Sequence, residues 1–533
     1  MILSCFGREN VEERILYCFS LKSMGISVER EVGTVICTSS GPSAFEFDFV
    51  ITNTSLSVPI RTGQFVEVNT EEGTLIAQVT EIMKTNRYFM HAEAVREYER
   101  SGKPLTRIFP VDKWEYIIAK AKPLAISING RLERVTFPPS PGEKVKLASQ
   151  DTLANFLGLD IENGIELGTV RYHNIPARLN LTRLLQKHVA ILAISGAGKS
   201  YLASILTEEL LLRSPAKGRV AVVIIDVHGE YVSLAEKVEG SEYVDFSDKV
   251  SVFKTSFFQI AVPQISERMF GEFQPQISPI QIRELGRILK NLKRRMYETG
   301  VPYSLQDVIR EIEQDEKMNI RTKEALLGWL YDLEETGLFG PVESPNLDKI
   351  VKPGHAAIID LSEIISLRKK QILISYVARR LFDLRKQDKI PPFVLILEEA
   401  HQFCPEARRE LAISKSIIET IAREGRKFFA SLCLISQRPV KLSTTVLSQC
   451  NTHIILRITN PYDLKHIGES SEGIDRNVLD VITTLNVGEA LVVGEAVNFP
   501  LFIKIRKRKS KEPKHALNLE DAAKKFEKSY LNT

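Results

Sequence analysis

The six cysteines of this 533-residue chain, at positions 5, 18, 37, 404, 433 and 450, form no Cys-x-x-Cys pair. Their scatter argues against thiolate metal sites and a disulfide framework, and points to free thiols in a reducing compartment. Long apolar runs are also missing. None approaches the roughly 20 residues that a helix needs to cross a bilayer, so no membrane association is expected. Residues Met1–Asn10 lack the basic start and apolar core of a cleavable signal, and the expected localisation is cytoplasmic. Charge of one sign is not in excess: 71 basic and 67 acidic residues leave a net charge of +4. Any surface for nucleic acid must therefore be local. Of the nine histidines, His228, His401 and His453 fall near predicted strand ends without metal-ligand spacing, and read as hydrogen-bonded or solvated. No internal repeat or low-complexity segment appears. What remains is an ordinary globular composition, 44% hydrophobic and 26% charged, on a chain too long for one small core.

One octapeptide stands out. Ala193-Ile194-Ser195-Gly196-Ala197-Gly198-Lys199-Ser200 follows the apolar run His188–Leu192 and precedes Tyr201–Leu212, whose apolar residues recur at helical spacing. Strand, glycine-containing loop ending in Gly-Lys-Ser, helix: this is the context of a phosphate-binding P-loop. Backbone N–H groups from Ser195 to Tyr201 can converge on a triphosphate at a helix N-terminus. Lys199 would neutralise β- and γ-phosphates, and Ser200 would ligate Mg²⁺. Ala193 stands where such loops usually begin with glycine, so the match is to a relaxed pattern.

The pattern along the chain predicts an N-terminal β-barrel over residues 1–150, after a terminal arm of about thirty residues. Short β-branched or aromatic stretches such as Val32–Ile36, Phe45–Ile51, Phe65–Val68 and Thr74–Val79 are separated by turn residues. Glu93–Gly102 reads as helical, and a proline-rich linker, Phe137–Gly142, follows a strand pair near Leu124–Val135. The rest alternates strands and helices, as in a doubly wound α/β ATPase core with a mainly parallel sheet, its first part at 151–265 and its second at 348–500. Strands are predicted at His188–Leu192, Val220–Ile225, Ala356–Leu361, Phe393–Leu397, Ala430–Ile435, His453–Ile458 and Glu489–Val493, most of them continuous apolar runs. Between the two parts, residues 266–347 show helical periodicity and read as an all-helical insertion, with a cap at Ser304–Asp307. Residues 501–533 read as a tail, basic at Lys504–Lys511 and then amphipathic and helical.

Hydrolysis needs carboxylates beside the phosphate cradle, and a strand ending in acidic residues supplies them at the carboxyl edge of a parallel sheet. Phe393–Leu397 ends in Glu398-Glu399: Glu398 is the expected metal-shell residue and Glu399 the group that activates water. Asp226 ends the strand Val220–Ile225 and could reach the metal shell; Glu230 is a weaker candidate. Gln437, at the end of Ala430–Ile435, could report the γ-phosphate through its amide. Arg426, and second to it Arg423, follow a helix and are candidates to reach a neighbouring subunit's nucleotide, where an arginine stabilises transition-state charge.

These pieces, in order and rough spacing, resemble the HerA family of hexameric DNA-translocating ATPases. They are Lys187–Ser200, Asp226–Tyr231, Glu398–His401, Glu424–Phe428 and Ser436–Pro439. The resemblance implies a β-barrel before a RecA-like P-loop core and a homo-hexamer with ATP and Mg²⁺ between neighbours. It further implies double-stranded DNA in a central channel and a NurA-type nuclease partner in DNA-end resection. Lys187 stands where the family often has an arginine near the nucleotide. Two rival readings share the P-loop: a nucleotide-dependent ring that gates a partner enzyme without translocating, and an ATPase that moves protein or RNA.

Overall fold

The computed structural model describes residues 31–531 except 39–40, 53–59, most of 87–114, 241, 407–411, 471–473, 475 and 513–518. The terminal arm and most of the helix expected at 93–102 lie outside the described residues. The chain divides into two compact units at Phe156/Leu157.

The first unit is an antiparallel barrel. Its strands are β1 (Glu31–Ile36), β2 (Phe47–Ile51), β3 (Phe65–Asn69), β4 (Thr74–Asn86), β5 (Glu115–Ile128), β6 (Arg131–Glu133) and β7 (Lys144–Leu147). The hydrogen-bonded order β2-β1-β7-β3-β4-β5 closes on itself through β2–β5, and β6 extends β5 as a hairpin. Phe47, Phe49, Val66, Val68, Leu75, Ala77, Val79, Ala119, Ala121 and Val145 fill the interior. The alternation Phe47-Asp48-Phe49 sends both rings inward and leaves the carboxylate facing out, as a half-buried strand requires. The register of β4 on β5 shifts at Ile76/Ala77, where Ala77 faces Pro123, a residue with no N–H for the ladder.

The second unit is built on an eleven-stranded sheet, ordered β12-β15-β11-β16-β17-β10-β18-β19-β20-β8-β9. Its strands are β8 (Ile165–Val170), β9 (Pro176–Leu179), β10 (Val189–Leu192), β11 (Ala221–Asp226), β12 (Val250–Lys254), β15 (Ala356–Asp360), β16 (Phe393–Leu397), β17 (Ala430–Ser436), β18 (Thr452–Ile455), β19 (Glu489–Gly494) and β20 (Leu501–Ile505). A separate parallel pair joins β13 (Ile260–Ala261) to β14 (Phe339–Gly340). From β12 to β18 the pairing is parallel; β18-β19-β20-β8-β9 is antiparallel.

Helices cover the parallel part. The first, α1 (Lys199–Leu212), is buried around most of its circumference. The insertion holds α2 (Glu267–Phe273), α3 (Pro279–Thr299), α4 (Leu305–Glu313) and α5 (Ile320–Glu334). Ser278 and Ser304 form capping boxes at the starts of α3 and α4, and Pro279 sits at the first position of α3, where its missing N–H costs no hydrogen bond. The helices α6 (Leu367–Lys386) and α7 (Lys415–Glu424) lead into β16 and β17. Because α1, α6 and α7 connect parallel strands, all strand carboxyl ends from β12 to β18 share one edge of the sheet and all amino ends share the other.

Six strands of the second unit, β8, β9, β12, β13, β14 and β20, were not expected from the sequence; β14 interrupts the stretch 266–347 that reads as all-helical, and the eleven-stranded sheet is parallel in only seven of its strands. The region read as a basic tail is also different. Leu501–Ile505 is a sheet strand, and the basic residues after it bind acidic residues of α1. The Glu208 carboxylate, wholly buried, receives Ser510 Oγ and N and Lys509 N at 2.6–3.1 Å, and pairs with Arg506 at 2.9 Å. Burial pushes Glu208 up. The Ser510 hydroxyl, the Lys509 and Ser510 amides and Arg506 outweigh it and hold the group below the ordinary carboxylate range. Glu209 pairs with Arg506 and Lys509. Lys504–Lys511 is thus largely neutralised by its own fold. No helix among the described residues is long and apolar enough to cross a membrane.

Candidate nucleotide site

The loop between β10 and α1 is held by its neighbours on both sides. The Ala193 N–H donates to the Ser436 carbonyl on β17 (3.2 Å), and the Ile194 N–H donates to the Arg457 carbonyl just past β18 (3.1 Å). Ala193 is fully buried, so its methyl fits where glycine was the expected residue. Gly196 and Gly198 take left-handed conformations, φ +75° and +101°, that L side chains resist. Gly198 caps α1 without a side chain, which leaves the first-turn N–H groups of the helix free to face an anion. The Lys199 ammonium folds over the loop and donates to the Ile194 carbonyl at 3.0 Å. Burial lowers its pKa; Glu399, Glu230 and Glu398 oppose that shift.

Glu398 and Glu399 sit beside this cradle, at the carboxyl end of β16. The Ser200 hydroxyl lies 3.2 Å from Glu398 Oε1, and the Val227 N–H donates to Oε2 at 3.2 Å. Glu398 is 2% exposed. Burial, reinforced by the charges of Asp226 and Glu230, raises its pKa to about 8. At neutral pH the group is therefore largely protonated, and a cation at Ser200 and Glu398 would displace that proton.

Glu399 occupies a left-handed backbone position, φ +48°, unusual for a residue without a short polar side chain. Its Oε2 is buried with no hydrogen-bond partner. His401 Nδ1 lies 3.4 Å from it, but burial, with the charges of Arg438, Lys441 and Lys199, lowers the His401 pKa to about 4, so this contact is not an ion pair. Burial raises the Glu399 pKa, while Lys199, His228 and a hydrogen bond from Gln437 oppose the shift. An unsatisfied carboxylate oxygen at the mouth of a phosphate loop suits a water or phosphate-bound group. Gln437 reaches this carboxylate from the end of β17, so Lys199, Ser200, Glu398, Glu399 and Gln437 are brought together.

Other expected site residues are placed elsewhere. Asp226 is fully buried and its carboxylate is committed to its own loop. Oδ1 accepts N–H groups of His228, Gly229 and Glu230 at 3.3, 2.7 and 3.1 Å, and Oδ2 accepts that of Tyr231 at 2.9 Å. It shapes the turn and leaves little capacity for a metal. The Tyr201 hydroxyl is turned away from the loop and accepts the Arg508 N–H at 2.9 Å. Lys187 precedes β10, at the sheet edge opposite the P-loop, and pairs with Glu495 at 2.7 Å. It is not part of the cradle of its own chain. Arg423, in the last turn of α7, and Arg426, just before β17, lie at that same amino edge. Both are exposed, and neither has an ion-pair partner among the described residues.

Two groups gain importance from the structure. Glu230 influences Lys199, Glu398 and Glu399 at once. Lys370, in the first turn of α6, reaches toward the Val227 carbonyl at 3.5 Å; burial lowers its pKa against the charges of Asp360 and Glu398. The only trace of it in the sequence is the basic run Arg368-Lys369-Lys370 at a helix start. Among the described residues no group of three or more His, Cys, Asp or Glu is arranged to hold a metal. A cation here would depend on Ser200, Glu398 and phosphate oxygens.

The chain is similar to several known proteins. A family model described as the central domain of helicase HerA matches residues 165–381. The DNA double-strand break repair helicase HerA of Pyrococcus furiosus is 27% identical to the chain, over 84% of this chain and 88% of its own length. The protein of that name from Sulfolobus acidocaldarius is 29% identical over 74% and 79%. A protein of Methanocaldococcus jannaschii described as a probable helicase is 26% identical over 89% and 91%. Among solved structures, VirB4 of Thermoanaerobacter pseudethanolicus covers 65% of this chain and 98% of its own, with a TM-score of 0.51 at 16% identity, a likeness of fold alone. The HerA resemblance read from the motifs is borne out, and so is the RecA-like P-loop core with a β-barrel before it.

Proposed function

We propose that this chain, a HerA-family protein by its central domain and its relatives, is an ATP-driven translocase or helicase for double-stranded DNA. It works as a homo-hexamer in DNA-end resection and repair with a NurA-type nuclease, in the cytoplasm. The names of its HerA relatives support a repair helicase. The observation that carries the ATPase half of the reading is the meeting of Ser200 with Glu398 at 3.2 Å beside the unpartnered Oε2 of Glu399.

In this reading Lys199 releases the Ile194 carbonyl and pairs with the β- and γ-phosphates, and N–H groups from Ser195 to Tyr201 cradle the phosphate oxygens. Ser200 and Glu398 would hold Mg²⁺, which would supply charge neutralisation to the phosphates. Glu399 accepts a proton from the attacking water, which its free oxygen is placed to orient. Gln437 holds the Glu399 carboxylate and senses the γ-phosphate. Asp226 fixes the loop that carries His228 and Glu230 to the site. Arg426, or Arg423, completes the site from a neighbouring subunit, because neither can reach the P-loop of its own chain.

Strand displacement of a duplex with and without ATP tests the proposal. ATP-dependent displacement supports it. Turnover without displacement, together with ATP-dependent stimulation of a co-purifying nuclease, would favour a regulatory ring instead.

A further inference from the structure

The sheet edge that carries Arg423 and Arg426 is organised by a buried imidazole with no part in the mechanism above. His188 is 1% exposed and holds a left-handed backbone, φ +63°, immediately before β10. Its Nδ1 accepts the N–H of Leu432 on β17 at 3.0 Å. The other ring nitrogen, Nε2, lies 3.0 Å from the carbonyl of Ala422. A backbone N–H can only donate, so Nδ1 is the bare nitrogen and Nε2 carries the proton. The ring therefore donates to Ala422 and links β17 to the last turn of α7. Burial lowers its pKa to about 4, so the neutral ring persists across the physiological range.

Ala422 immediately precedes Arg423. Its carbonyl belongs to the last turn of a helix, where carbonyls lack intrahelical partners. The chain then turns through the short helix Gly425–Phe428, which holds Arg426, into β17. The turn is tight: a Cβ at Gly425 would lie 2.3 Å from the Ala430 carbonyl oxygen and 3.3 Å from His188 Cε1. The imidazole thus ties the last turn of α7 to β17, directly beside the turn that carries the two arginines.

We infer that His188 is a positioning residue for the arginines a subunit offers to its neighbour, fixing Arg423 and Arg426 through the Ala422 carbonyl. The inference rests on the shared-site reading above. It makes His188 act at the neighbour's nucleotide although the residue lies one short strand before its own P-loop.

Two substitutions separate the ring's two hydrogen bonds. His188→Asn keeps an acceptor near Nδ1 and loses the donor to Ala422. His188→Gln keeps a donor near Nε2. Asparagine is the better tolerated of the two at positive φ, so a larger defect in His188→Asn would not come from backbone strain. His188→Asn is expected to bind a non-hydrolysable ATP analogue within about twofold of wild type and to lose about 10- to 100-fold in kcat, as a misplaced catalytic group does. His188→Gln should keep most of the activity.

A purely structural role is distinguished by mixing. His188→Asn subunits, whose own P-loop is intact, should regain turnover when mixed with Lys199→Ala subunits, whose arginines are intact. Full kcat in His188→Asn, equal losses in both variants, or loss of analogue binding would overturn the inference. Arg426→Ala and Arg423→Ala mixed with Lys199→Ala are the controls. If an arginine variant is rescued and His188→Asn is not, the His188 inference alone fails. If neither arginine variant loses activity, the shared-site reading fails and the inference with it.

Discussion

The two edges of the parallel sheet are chemical opposites. At the carboxyl edge, acidic groups are withdrawn from water: Glu398 is 2% exposed and Glu399 7%, both are shifted toward the protonated form, and one carboxylate oxygen is unpartnered. At the amino edge, Arg423 and Arg426 are exposed and unpaired among the described residues. Burial makes a carboxylate receptive to a cation or a proton, and exposure leaves an arginine free to move onto an external anion. Parallel strands keep these groups on opposite edges of one subunit, and the proposed shared site would join the carboxyl edge of one chain to the amino edge of the next.

Changes at the carboxyl edge should have the largest effects. Lys199→Ala removes the cation folded over the phosphate loop and should lower ATP turnover by more than about 10³-fold. Steady-state hydrolysis by a variant with a wild-type melting profile checks this; turnover near wild type would remove the P-loop from the account. Glu399→Gln should cost about 10²- to 10³-fold in kcat while nucleotide still binds, because the amide has nearly the same shape but cannot take a proton. If Glu398→Gln shows that pattern and Glu399→Gln does not, the two carboxylates exchange roles.

The next effect is on stability and follows from Glu398. Its folded-state pKa of about 8 stands above the ordinary value of 4.5, so the folded chain binds a proton that the unfolded chain releases. Stability from this group is complete below about pH 4.5 and is lost as pH rises through about 8, a change on the order of a few kcal/mol. Thermal melts of the nucleotide-free protein at intervals from about pH 5 to pH 8.5 should show that decline, and Glu398→Gln should flatten it. The same proton should leave when Mg-nucleotide binds. Calorimetric enthalpies at pH 7 that are identical in buffers of different ionisation heat would contradict this.

The smallest effect should come from the amino edge when a single subunit's nucleotide affinity is measured. Lys187→Ala breaks a half-exposed ion pair with Glu495, which is worth at most about 1 kcal/mol. It should leave analogue binding within about twofold of wild type. A tenfold loss would place Lys187 at its own P-loop, against the geometry.

Those features were legible in the sequence whose chemistry and geometry are local. Ser195–Ser200 declares itself because strand, loop and helix are contiguous, and Glu398-Glu399 because an apolar strand ends in two carboxylates. The local partners of Asp226 are not legible in the sequence, because four backbone N–H groups take up its oxygens only where the chain curls at Gly229. Lys504–Lys511 reads as part of a tail because its counter-charges, Glu208 and Glu209, lie some 300 residues away on α1. Lys370 reaches the site from another crossover, and nothing in its local pattern sets it apart. Strand β8, with Gly168 in a pattern of weak alternation, gained its place from pairing with β20 and β9.

The shared site is tested most directly by mixing Arg426→Ala subunits with Lys199→Ala subunits. Each population alone should bind its neighbours and hydrolyse little ATP. Together they create interfaces that pair an intact Lys199 with an intact Arg426, and turnover should rise above either population alone. If Arg426→Ala, and in turn Arg423→Ala, retain full activity, or if the wild-type chain hydrolyses ATP at full rate as a monomer at any dilution, the two edges do not form one site.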